Sequence, residues 1–223
     1  MTFSIAAVCR ESQMAGCAIA SSSICVASRC AFVRSGVGVA LSQNITDPAL
    51  GALLLQRIAE GEEPATAVGF LAGNQANIEW RQIGAINLAG QGALFTGDRA
   101  LGIHASSQGE DCIAMGNLLD NPDVPLAMTT SFQQSTGALA ERLMKALEAG
   151  LSAGGEKGPV YSAGLLVTAQ HEWPVVNLRV DWHISPITEL RMLWQQYEPQ
   201  MQAYITRAHD PQNAESYGVP GDE

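Results

Sequence analysis

Strand-like runs in this chain come in clusters, and pairs of helical segments separate the clusters, an order that few single-chain architectures satisfy. Residues 2–9 and 16–20 read as strands around the polar turn Arg10–Gln13, and 23–33 and 36–43 as two more, parted at Ser35-Gly36. Asp47 is then a good N-cap and Pro48 a good first helical residue, and Leu50, Leu53, Leu54 and Ile58 keep helical spacing up to Glu60-Gly61. A second short helix runs from Pro64 to Leu71. Four strand-like runs follow (80–87, 92–96, 100–105 and 111–116), then helices at about 122–134 and 137–150, the latter strongly amphipathic. Beyond the Gly-rich loop 152–159 come strands at 160–169 and 174–183 and a long helix from Pro186 to about Arg207. This order predicts an α+β fold in layers: two antiparallel sheets face to face with helices on the outer faces, an αββα sandwich. No repeat or linker interrupts it. Residues 1–208 therefore read as one domain and 209–223 as a disordered acidic tail.

Composition narrows the function classes. With 47% hydrophobic residues, 223 residues can bury a sizeable core. The formal net charge of −10 argues against nucleic acid and offers no basic patch to a membrane. Neither a transmembrane run nor a charged leader is visible, so a cytoplasmic location is expected. Apolar excess with only 15% charged residues argues for a homo-oligomer. Cys9, Cys17, Cys25, Cys30 and Cys112 form no C-x-x-C pair and read as buried free thiols. His104, His171, His183 and His209 stand singly, so neither metal nor cofactor is expected.

Thr2, directly behind Met1, opens the first strand-like run. A small second residue favours removal of the initiator methionine, which would make Thr2 the N-terminus. Its hydroxyl is then a nucleophile and its own α-amine, titrating near ~7.7–8.0, a base suited to neutral pH. An ordinary chain start is the competing reading.

Several segments resemble the bacterial family catalogued as domain of unknown function 1028: Thr2-Phe3-Ser4-Ile5, Gly36-Val37-Gly38, Arg81-Gln82-Ile83-Gly84, Phe95-Thr96-Gly97, Gly116-Asn117-Leu118-Leu119, Leu139-Ala140-Glu141-Arg142-Leu143 and Leu178-Arg179-Val180-Asp181. The resemblance spans about residues 2–195. It implies an N-terminal-nucleophile (Ntn) hydrolase-like fold and says little about substrate. Gly155-Glu156-Lys157-Gly158, in the loop before the late strand pair, and Asp181-Trp182-His183, at the end of the late strand, depart from the family's usual pattern.

In such a sandwich Thr2 becomes the candidate nucleophile. Arg34, with Arg29 second, is the candidate cation that keeps the amine neutral by like-charge repulsion. Gln43 and Asn44 at the end of the fourth strand, or Asn117 after Gly116, are candidates for holding an oxyanion. Ser21 and Ser23 offer small hydrogen-bonding groups. Arg179, Asp181 and His183 share one face of the late strand. They form either a polar wall for a charged substrate group or a solvent-facing ion pair. The expectation is a hydrolase of a carbon–nitrogen bond in a small-molecule amide. A silent scaffold that binds a ligand or partner chain is the alternative.

Overall fold

The computed structural model describes residues 1–219. Strands β1 (Thr2–Cys9) and β2 (Met14–Ser21) form a hairpin. A short helix α1 (Val26–Cys30) precedes β3 (Ala31–Arg34) and β4 (Gly38–Asn44), and the helices α2 (Pro48–Ala59) and α3 (Pro64–Asn74) follow. After a 3₁₀ turn at Ile78–Trp80 come β5 (Arg81–Asn87), β6 (Gly92–Thr96), β7 (Ile103–Gly109) and β8 (Cys112–Leu119). Helices α4 (Val124–Gln134) and α5 (Leu139–Ser152), strands β9 (Ser162–Thr168) and β10 (Pro174–Val180), and helix α6 (Pro186–His209) complete the order.

Two antiparallel sheets result. One has six strands in the order β10-β9-β2-β1-β8-β7, and the other four in the order β3-β4-β5-β6. Three apolar cores define the layering. Phe3, Ile5, Leu143, Leu147 and Trp194 lie between the larger sheet and α4–α6. Ala6, Val8, Ile19, Leu41 and Ile113 lie between the sheets, and Leu54, Leu71 and Ile83 under α2 and α3. Alternation along β1 explains this: Phe3, Ile5 and Ala7 face the helices, while Ser4, Ala6 and Val8 face the other sheet. Gly51 lets α2 settle on β3, because a Cβ there would stand 2.1 Å from the Phe32 ring.

One predicted strand is corrected. Residues 23–33 divide into α1 and β3, since Cys25 adopts φ 54 and turns the chain, and Ser28 bonds back to the Cys25 carbonyl. Buried Val26, Ala27 and Cys30 fit a helical spacing as well as a strand's. The tail predicted from 209 begins one residue later, as His209 closes α6. Residues 210–219 carry no helix or strand, and Arg207 lies 3.8 Å over the Tyr217 ring. The remainder of the tail, 220–223, is outside the described residues. Among the described residues no helix is long and apolar enough to cross a membrane.

The thiols differ sharply. Burial pushes Cys17 up to about 12 and Cys112 to about 11, and raises Cys30. Cys9 is half-buried and lowered by a hydrogen bond from Ser12, and Cys25 is half-buried too. A disulfide reagent at pH 8 should therefore modify Cys9 and Cys25 in the native protein and the other three only after unfolding. Rapid labelling of Cys17 in the folded chain would contradict this packing.

Candidate functional site

Thr2 is the first residue of a central strand, paired with Asn117 of β8 on one side, while its neighbour Phe3 pairs with Ala20 of β2 on the other. This register puts the side chains of Thr2, Ser21 and Asn117 on one face at one end of the larger sheet. Thr2 is 4% exposed. Thr2 Oγ donates to the Met1 carbonyl, with Ser21 Oγ 3.3 Å away as an alternative acceptor. Ser21 Oγ also donates to the Met1 carbonyl and accepts from the Ser23 amide at 3.0 Å.

Behind Thr2 a polar chain links the two sheets. Ser4 Oγ donates to Gln43 Oε1 at 2.7 Å, and Gln43 Nε2 donates to Gln82 Oε1 at 2.7 Å. Asn117 Nδ2 donates to the same oxygen at 3.2 Å. Gln82 Nε2 donates to the Gly116 carbonyl and to Thr96 Oγ, each at 3.1 Å. All four of Ser4, Gln43, Gln82 and Asn117 are fully buried, yet Asn117 Oδ1 has no partner. A buried acceptor left open beside Thr2 is costly unless something else donates to it.

Glu156 completes the cluster. The residue is 4% exposed, and its carboxylate accepts from the Ser22 amide at 3.1 and 3.3 Å. Burial pushes its carboxyl up to about 7, although the N-terminal ammonium and the Ser22 bond pull the other way. The unfolded chain loses this proton near 4.5, the folded chain near 7, so stability is full below about 4.5 and falls as pH rises to about 7. The loss is at most about 3 kcal/mol. Glu156→Gln should remove that slope, so that its stability relative to the parent, by urea unfolding, rises by about 2–3 kcal/mol between pH 5 and pH 8. An unchanged difference would place the carboxyl in water.

The structure brings together Thr2, Ser21, Ser23, Gln43 and Asn117 from the sequence candidates. Arg34 is corrected: it ends β3 opposite Gly38, at the other end of the sandwich, and cannot act on the Thr2 amine. The strand pattern put it at a strand end without saying which end. Asn44 is corrected as an oxyanion donor, because its Nδ2 holds the Trp80 carbonyl and its Oδ1 the Leu101 amide. On edge strand β10, Arg179 pairs with Asp181 at 2.7 Å, 36% and 49% exposed. These two lie three strand spacings, about 14 Å, from β1. His183 Nδ1 accepts from the Ser185 amide at the entry to α6. Arg179 and Asp181 thus form a half-exposed ion pair on the edge of the larger sheet. Sequence reasoning missed Ser4, Gln82 and Glu156. Polar residues on the inward phase of apolar strands flag the first two. Nothing in the spacing links Glu156 to Thr2.

A model for a family of unknown function, DUF1028, matches residues 2–190. The crystal structure of a DUF1028-family protein from Silicibacter pomeroyi is similar with a TM-score of 0.82 and 33% identity, covering 88% of each chain. No curated protein matches.

Proposed function

Since the chain belongs to the DUF1028 family, whose function is unknown, its chemistry has to come from the site, and we propose that it hydrolyses a carbon–nitrogen bond in a small-molecule amide with Thr2 as nucleophile. The observation that carries this is the placing of a buried Thr2 at the end of a central strand beside Ser21, whose neighbour Ser22 donates its amide to the Glu156 carboxylate. Removal of Met1 would uncover that hydroxyl and free the α-amine.

In the proposed reaction the Thr2 α-amine takes the hydroxyl proton as Oγ forms a bond to the amide carbon, and the carbonyl π pair moves to oxygen. Collapse breaks the C–N bond, and the ammonium returns the proton to the leaving nitrogen. Water then attacks the Thr2 ester, the amine again accepting a proton, and collapse breaks the C–Oγ bond as the ammonium returns that proton to Oγ and the carboxylic acid leaves. Ser21 Oγ–H, released from the Met1 carbonyl, is the nearest donor for the oxyanion. Asn117 Oδ1, on the same face as Thr2, is free to accept from the amine. Glu156, titrating near neutrality, holds or gives up a proton beside them.

A silent ligand-binding scaffold is the alternative, since a chain that retains Met1 has the Thr2 nitrogen acylated and its hydroxyl bonded to the Met1 carbonyl. Intact mass with an electrophilic β-lactone separates the two. The hydrolase reading expects a chain short by one methionine and a single adduct mapped to Thr2. A chain that keeps Met1 and takes no adduct would overturn it.

A further inference from the structure

At the end of the sandwich away from Thr2, a cleft of about 700 Å³ opens between the β1–β2, β3–β4 and β9–β10 turns, a size suited to a small ligand. We infer that this cleft binds a planar aromatic monocarboxylate, with Arg34 receiving the carboxylate and the Trp173–His171 wall receiving the ring.

Arg34 sets the charge. Among the described residues every other arginine has a partner: Arg10, Arg57, Arg179 and Arg191 pair with carboxylates. Arg29, Arg81, Arg142 and Arg207 donate to backbone carbonyls, and Arg99 faces the Trp80 ring. Arg34 alone has none, and it is one of the residues that line the cleft. A guanidinium fork is matched by a carboxylate's two oxygens.

The opposite wall sets the shape. Trp173 stacks on His171 with centroids 5.2 Å apart, and His209 closes on both, its Nε2 3.0 Å from His171 Nδ1. The last residue of α6 thus pins the β9–β10 turn, holding the 38%-exposed indole at the cleft. Val33 and Leu88 add apolar surface. Among the described residues no third ligand joins the two imidazoles, so this cluster is a wall rather than a metal site. Glu172 lines the same cleft and the chain carries a net charge of −10, which disfavour a second negative charge on the ligand. That selects a monocarboxylate over a phosphate ester. His209 lies beyond residue 190, where the family match ends, so the site is completed by chain outside it.

Calorimetric titration of the full chain with indole-3-propionate tests this. Saturable binding with a Kd on the order of 1 mM or tighter is expected for a ligand of that size. Indole-3-propionamide, which lacks the charge, should bind at least about tenfold more weakly, as should indole-3-propionate to Arg34→Met and to Trp173→Ala. Thr2→Ala should bind it unchanged, which keeps this test separate from the hydrolase reading. Absence of saturation, equal affinity for acid and amide, or preference for indolyl phosphate would overturn the proposal.

Discussion

Thr2→Ala should leave the chain folded and lower amide hydrolysis by about 10³-fold or more, while Thr2→Ser should retain part of it. The asymmetry follows from what each variant keeps. Alanine preserves the strand, the α-amine and the register with Asn117 but deletes the attacking oxygen. Serine keeps the oxygen and loses a methyl. The stability change for alanine should stay at about 1 kcal/mol, since with Met1 gone the one side-chain bond lost is the 3.3 Å contact with Ser21 Oγ. Turnover, intact mass and urea unfolding measured on the same preparations separate catalysis from folding. Full activity in Thr2→Ala would remove Thr2 from the chemistry altogether.

Gln82→Leu should destabilise the protein by about 3–5 kcal/mol and loosen the Thr2 site with it. Leucine fills nearly the same volume, so the effect reports polar loss rather than a cavity. The substitution strips the acceptor from Gln43 Nε2 and Asn117 Nδ2 and the donor from the Gly116 carbonyl. Each orphaned buried group costs about 1–3 kcal/mol, and the linked groups act together. Chemical unfolding measures the loss. A change under about 1 kcal/mol would mean that water replaces the glutamine.

Much of the layering was legible in the sequence because strands and helices here follow their periods closely. Asp47 caps α2 through the Ala49 amide, as its place before Pro48 predicts, and the inward phase of β1 is visible in Phe3, Ile5 and Ala7. Residues 23–33 were not, because small apolar residues satisfy a short helix and a strand alike, and only the left-handed Cys25 decides. The candidate site divides in the same way. Thr2, Ser21 and Asn117 meet because strand ends meet in an antiparallel sheet. Arg34 and Glu156 depend on which end a loop returns to, and that is set by pairings such as Leu119 with Glu156, far apart in sequence. Arg179 and Asp181 share a face as expected, but an edge strand turns that face to solvent.

The central place of β1 governs how the chain reaches its native state. Its neighbour β2 follows at once, but its other neighbour, β8, begins at Cys112, and β2 waits for β9 at Ser162. During synthesis the first hairpin therefore leaves the ribosome with its β1 edge unpaired until β8 is made and its β2 edge unpaired until β9 is made. Closing loops of that length before any contact rewards them makes folding slow and late. The apolar strand Thr2–Cys9 is then the segment most exposed to pairing with another nascent copy, and the one a chaperone would have to shield.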